Sequence, residues 1–189
     1  MFIQYQTFDY HYASKLNPRL YDIIDYEVDP DTSVLAVDGN YDNGAPRSAV
    51  NLHTRKIEDL DKLLLWIENL IPQCARNFVK QDYLDNLSRV RKTGGNGGLR
   101  SNSFKIDSCW GILFNKGNSL IKHNHFPYSI SFVYCVNSPK GSSPLIIEGE
   151  NINLVPGRII FFLSHYYHWV PLNKCDGRCS IVGNILYTP

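Results

Sequence analysis

Apolar positions follow two different periods along this chain, and the change comes near residue 100. In LNPRLYDIIDYEV (Leu16–Val28), Leu16, Leu20, Ile23 and Ile24 recur at helical spacing, with Pro18 near the start, where a helix tolerates it. The longest predicted helix runs from Arg55 to Phe78. Ile57, Leu60, Leu64, Ile67 and Ile71 recur every three or four residues with charges between them, and Ala75 and Phe78 continue the stripe. Thr54 is placed to cap this helix, and Pro72 is expected to kink or restart it. Asp82–Val90 predicts a further short helix. TGGNGG (Thr93–Gly98) predicts a flexible loop, because no phosphate-binding pattern follows the glycines. From Phe104 onward the period becomes two. FKIDSCWGILF, SLIKHNH, SISFVYCVN, PLIIEG, RIIFFLS, HWVPL and SIVGNILY read as short strands, separated by turns such as NKGN, NSPKGSSP and NKCDGR. The first fifty residues are otherwise harder to read: DPDTS is a turn signal, SVLAVDGN a short strand entering a turn, and NYDNGAPRS a loop. Helices followed by antiparallel strands predict an α+β protein, mainly β, built on a sandwich or barrel. The expected organisation is one domain over 1–189, with a helical or mixed part over 1–98 and the β core over 99–189.

Composition narrows the function classes. Hydrophobic residues make up 43% of the chain, enough for a real core, and the formal net charge is +1. No basic stripe supports nucleic-acid binding; RVRK at Arg89–Lys92 reads as a solvated helix end. No apolar run is long enough to cross a bilayer, and MFIQYQTFDYHY lacks the plan of a signal peptide. Five scattered cysteines (Cys74, Cys109, Cys135, Cys175, Cys179) argue against a disulfide framework and for a reducing, cytoplasmic setting. The CDGRC stretch from Cys175 to Cys179 has no further ligands nearby and is not expected to bind metal.

The candidate chemistry lies in LIKHNHFPYSISFVYCVN (Leu120–Asn137) and in two later strand-like runs. His123 and His125 are two apart in strand-like sequence, which puts both imidazoles on one face, within reach of one metal ion. SHYYHWVPL adds His168 at the end of an apolar approach; His165, three residues earlier, reads as a loop histidine. In GRCSIVGN, Arg178, Ser180, Val182 and Asn184 share parity. By itself Arg178 reads either as an arginine at a strand end that reaches water or as one entering a barrel interior beside a serine; the second calls for an anion, and a carboxylate suits its two-pronged guanidinium. Trp66 reads as a packing residue; Trp110 and Trp169 flank the candidate site and read first as packing, with lining a pocket as the alternative.

Taken in order, Trp110, Gly117, His123, His125, Ser131, Tyr134, Pro139, Pro156-Gly157, Phe162, Ser164, the HWVP run from His168, and RCSI from Arg178 with Asn184 form a set that resembles the Fe(II)- and 2-oxoglutarate-dependent oxygenases. The resemblance is to their small members in marine bacteria and cyanophages. It implies a double-stranded β-helix (jelly roll) packed by N-terminal helices. It also implies iron held by His123, His125 and His168, with the far carboxylate of 2-oxoglutarate on Arg178 and Ser180. No catalytic residue beyond the metal ligands is implied. The implied activity couples oxidative decarboxylation of 2-oxoglutarate by O₂ to hydroxylation of a C–H bond. The substrate would be an amino-acid, peptidyl or small-metabolite one, in the cytoplasm, or in the host cytoplasm if the chain is viral. Two positions depart from the pattern. His125 stands where most of the superfamily has a carboxylate, and Cys135 where a tyrosine is expected. Two alternatives stay open: a jelly-roll binding or virion-associated protein with a vestigial or structural metal site, and a cupin-like three-histidine metalloenzyme that does not use 2-oxoglutarate.

Overall fold

The computed structural model describes residues 4–40, 42–78 and 104–187. The predicted Asp82–Val90 helix and the Thr93–Gly98 loop lie outside the described residues. The chain begins with strand β1 (Tyr5–Asp9), helix α1 (Ala13–Glu27) and two strands, β2 (Asp29–Ser33) and β3 (Pro46–Arg47). A 3₁₀ turn (Leu52–Thr54) leads into helix α2 (Glu58–Phe78). Eight strands come next: β4 (Phe104–Phe114), β5 (Leu120–His123), β6 (Ile130–Asn137), β7 (Leu145–Ile147), β8 (Glu150–Ile152), β9 (Arg158–Leu163), β10 (His168–Val170) and β11 (Arg178–Tyr187). They form a seven-stranded sheet in the order β1-β9-β6-β11-β4-β3-β2 and a four-stranded sheet in the order β5-β10-β7-β8. All strand pairs in both sheets are antiparallel. The expected mainly β jelly roll with N-terminal helices packed on it is what the chain adopts.

Two cores flank the large sheet. On one face Leu20, Ile24, Leu60, Leu63 and Ile67 from the helices pack on Phe132, Tyr134, Phe161 and Ile181. On the other, between the sheets, Ile112, Phe114, Val133, Ile147, Ile160 and Phe162 meet. A strand caught between two cores has no solvent face, which is why Ile130–Val136 is buried at every position. Asn17 anchors α1 to β6: its Nδ2 donates to Val136 O at 2.7 Å, and Tyr134 donates its hydroxyl to Asn17 Oδ1 at 2.7 Å. At the crossing of β11 with β4 and β6, a Cβ on Gly183 would sit 2.6 Å from the Phe132 ring and 2.7 Å from Ser108 O. Gly183→Ala is therefore expected to cost about 1–3 kcal/mol of stability, read as a lower urea midpoint; an unchanged midpoint would mean the sheet yields at this crossing.

Several expectations need correction. DPDTS is not a turn but edge strand β2, pairing with β3 at Asp29↔Arg47 and Ser33↔Pro46; an edge strand tolerates Pro30 because one side of its ladder is free. The residues after it, Val34–Ala36, form no strand, although the bend at Asp38-Gly39 is present, with Gly39 at φ +79°. Helix α2 starts at Glu58, not Arg55. Thr54 instead closes the 3₁₀ turn through its hydroxyl to Asn51 O at 2.8 Å. The helix continues through Pro72 as one element. Among the described residues no helix is long and apolar enough to cross a membrane.

Candidate metal centre

His123 is the last residue of β5 and His168 the first of β10, and the two are direct cross-strand partners. His125 does not share their strand, as the sequence suggested; β5 ends at His123. Asn124 takes the Phe126 N–H on its side-chain oxygen at 3.2 Å, and Pro127 has no N–H to give, so the ladder cannot continue. The turn still brings His125 back to the same point, held by its N–H to Ser164 O at 2.8 Å. Ligand-capable nitrogens of the three rings all lie within 4.8 Å of one another. Ring centroids are 4.3 Å apart for His123 and His168, 4.9 Å for His123 and His125, and 5.0 Å for His125 and His168.

Main-chain carbonyls set two of the tautomers. His123 Nδ1 lies 2.8 Å from Ile121 O, and His168 Nδ1 lies 3.2 Å from Tyr166 O. A carbonyl only accepts, so each Nδ1 carries the proton and each Nε2 keeps its lone pair, as a metal ligand requires. Burial disfavours the imidazolium at all three sites. It lowers His123, brings His125 down to about 4 with help from His123, and holds His168 well below the ordinary histidine value. The folded, metal-free protein therefore holds neutral rings at a pH where the unfolded chain is protonated. Below about pH 6.5, the ordinary histidine value, the unfolded state binds the extra protons. Stability of the metal-free protein should thus fall as pH drops from 7 to 5, seen as a falling urea midpoint. A flat midpoint over that range would show the rings to be more hydrated than their burial implies.

The cluster opens on an interior cleft with about 530 Å³ of atom-free space counted out to its mouth. Its walls are apolar, with Ile112, Phe114, Val133, Leu145, Phe162 and Val170, and no aspartate or glutamate lines it among the described residues. Arg178 and Ser180 reach into it from β11, two apart on one face as their parity predicts. Arg178 is only 1% exposed, yet its Nε and Nη1 have no hydrogen-bond partner, and neither does Ser180 Oγ. The guanidinium lies over the Phe114 ring, 4.4 Å from its centroid, and burial brings its pKa down to about 10, so it stays charged at neutral pH. A buried charge without a counter-ion marks a place for an anion. Cys135 stands directly across from Ser180, its thiol pushed up to about 12 by burial, while Tyr134 faces the helices.

Sequence reasoning put Trp110 second as a pocket residue and missed two further features. Trp110 lines the cleft: its ring meets His125 edge-on at 5.8 Å, and its buried Nε1 has no partner. Its shared parity with Ile112 and Phe114 was the available signal. Beneath the histidines, Ser131 Oγ lies 2.8 Å from Ser164 Oγ and donates to Asn184 Oδ1 at 2.8 Å, and Asn184 Nδ2 donates to Ser108 Oγ at 3.1 Å. This network ties β6, β11 and β4 to the turn that follows β9, and only the pairing register reveals it. Val34, in a stretch read as strand, also lines the cleft. His165 is exposed in a turn, outside the cluster. Trp66 packs, as expected, against Tyr10 and Tyr134. Cys175 and Cys179 are free thiols, and neither joins a metal-ligating group among the described residues.

No family model matches the sequence, and no curated protein does. Solved structures do match over nearly the whole chain. A prolyl-4-hydroxylase from Pseudomonas putida superposes with a TM-score of 0.63 at 16% identity, covering 98% of this chain and 93% of its own. The viral collagen prolyl hydroxylase of Paramecium Bursaria Chlorella virus-1, solved with 2-oxoglutarate, gives 0.65 at 10% identity, covering 96% and 94%. A Trichoplax adhaerens prolyl hydroxylase, solved with a peptide fragment of the hypoxia inducible factor oxygen degradation domain, gives 0.58 at 13%, covering 95% and 82%. Likeness at these identities is likeness of fold, and the fold this chain shares is that of prolyl hydroxylases, from the N-terminal helices to the last strand of the jelly roll.

Proposed function

We propose that the chain is an Fe(II)- and 2-oxoglutarate-dependent dioxygenase that hydroxylates a C–H bond of an amino-acid, peptidyl or small-metabolite substrate. One observation carries the reading: three neutral imidazoles and a fully buried guanidinium with two unpartnered nitrogens open on one cleft, which no acid lines among the described residues. His123, His125 and His168 would hold the metal, and Arg178 with Ser180 would take the far carboxylate of the cosubstrate. When bound, iron and 2-oxoglutarate supply the oxidative decarboxylation that drives transfer of an oxygen atom to a C–H bond. The chain's own residues do the rest. The Ile121 and Tyr166 carbonyls keep two Nε2 lone pairs turned toward the cluster. Arg178 orients the cosubstrate through charge-assisted hydrogen bonds, and Ser180 adds a hydroxyl donor. The apolar walls exclude water from the reacting centre. The solved neighbours support the reading by fold, one of them being a 2-oxoglutarate complex.

The test is direct. Calorimetry on protein loaded with zinc, which is redox-inert, should show 2-oxoglutarate binding. Aerobic protein with Fe(II), ascorbate and 2-oxoglutarate should release succinate slowly even without substrate. Metal binding with no 2-oxoglutarate binding would leave a three-histidine metalloprotein of another kind.

A further inference from the structure

The polar atoms left unpartnered around the cleft have a common character. Trp110 Nε1 and the Arg178 Nε and Nη1 atoms can only donate, and Ser180 Oγ can donate. A ligand must therefore bring acceptors. Arg178 and Ser180 are taken by the cosubstrate in the dioxygenase reading. Trp110 is not: it pairs with Val182, further along β11, and its ring edge is turned on His125. Its N–H is free for a different molecule.

A second cation leaves the sheet on the same face. Arg47 is the cross-strand partner of Ile112, so it leaves the sheet on the face that Ile112 and Trp110 present to the cleft, diagonal to Trp110 across β3 and β4 and outside the residues that line the cleft itself. Diagonal neighbours of this kind are within reach of long and aromatic side chains. Arg19, Arg55 and Arg158 each pair with a carboxylate. Arg47 does not among the described residues; its one hydrogen bond is from Nη1 to Ser48 O, at a long 3.4 Å. The acid on its other side, Asp29, already accepts from the Asp31 N–H and the Thr32 hydroxyl.

Charge points the same way. Three neutral imidazoles leave a divalent ion its full charge, where a carboxylate ligand would cancel part of it. No acid lines the cleft among the described residues to make up the difference, and the 2-oxoglutarate dianion balances only part of the sum of the ion and Arg178. In a water-poor cleft such an imbalance favours an anionic guest.

We propose that the substrate presents a carboxylate to Arg47 and the Trp110 indole N–H, so that this site takes free amino acids or other small carboxylic acids rather than internal residues of a peptide. The proposal deepens the dioxygenase reading and rests on it.

The experiment uses the full chain loaded with Mn(II) and 2-oxoglutarate under nitrogen, and reads paramagnetic broadening of ligand protons without turnover. The 2-oxoglutarate protons are followed first; if they do not broaden, the cosubstrate reading falls and the carboxylate assignment with it. The probes are free amino acids and small carboxylic acids, each paired with its primary amide, together with capped prolyl peptides. Some free acids should broaden, while their amides and the capped peptides do not. Arg47→Gln should weaken the acids about ten-fold, the worth of one charge-assisted hydrogen bond, with 2-oxoglutarate broadening unchanged. Trp110→Phe, which keeps a ring and removes the donor, should weaken them by about three-fold or more. With 2-oxoglutarate bound, the assignment is overturned if amides or capped peptides broaden as strongly as acids, if no acid broadens, or if Arg47→Gln leaves the acids unaffected.

Discussion

Replacing His168 by Ala is expected to abolish stoichiometric metal binding. The ring is 4% exposed, sits at the start of a strand pinned on both sides by β5 and β7, and already carries its proton on the nitrogen turned away from the cluster. Nothing nearby can replace it, since no carboxylate lines the cleft among the described residues. Two imidazoles alone make a weak site. The loss should exceed the roughly 100-fold that even outer-sphere changes can cause. His123→Ala should behave alike and guards against misfolding of the more deeply buried variant. His165→Ala, in an exposed turn, should bind metal as the parent chain does. Metal content by elemental analysis after dialysis, with circular dichroism as the folding control, decides the matter. Full metal occupancy in both His168→Ala and His123→Ala would mean that the site has been put in the wrong place.

Arg178→Met is expected to move two measurements in opposite directions. Without ligand the variant should be more stable. A buried guanidinium with two idle nitrogens is costly, and an apolar chain of similar length over Phe114 removes that cost, a gain of about 1–4 kcal/mol by analogy with buried-charge replacements. In a chain of this size that corresponds to a rise in Tm of at least about 2 °C. With 2-oxoglutarate the order should reverse. The parent protein gains a two-pronged charge-assisted contact and the variant does not, a difference of about 3 kcal/mol or more than 100-fold in affinity. Arg178→Lys keeps the charge but not the fork, and should fall between the two. Thermal unfolding with and without 2-oxoglutarate reads both effects. A ligand-free variant less stable than the parent would show that the protein itself satisfies the guanidinium, and the case for an anion there would be lost.

Much of the fold and the site was legible in the sequence because it depends on short-range periodicity. The α2 stripe, the strand runs after Phe104 and the shared parity of Arg178 and Ser180 need no knowledge of the rest of the chain. His123 and His168 could be singled out as chemistry, although their pairing across β5 and β10 could not be read. What was missed depends on partners far away. β1 reads as nothing in particular because a half-buried edge strand of mixed polarity acquires its identity from β9, more than a hundred residues on. DPDTS looks like a turn by composition and becomes a strand only because β3 lies beside it. β6 was read as a strand, but that both of its faces are buried could not be read without the helices and the second sheet. His125 was put on a strand by spacing alone, when a side-chain acceptor at Asn124 had already ended the ladder. Trp110 stood between core and pocket until its pairing with Val182 and its contact with His125 were seen.

The strand order has a consequence for how the protein is made. The large sheet runs β1-β9-β6-β11-β4-β3-β2, so its middle strand is the last of the described strands to be synthesised. Until β11 leaves the ribosome, β6 and β4 each present an open edge, and the nascent chain holds two half-sheets with nothing to join them. The histidines emerge earlier, but Arg178, Ser180 and Asn184 arrive together on that closing strand. Folding dominated by such distant pairings is slow, and exposed edges during synthesis invite association with other chains. The buried guanidinium side of the cleft and the seam that completes the sheet are thus supplied in one step, by the same ten residues.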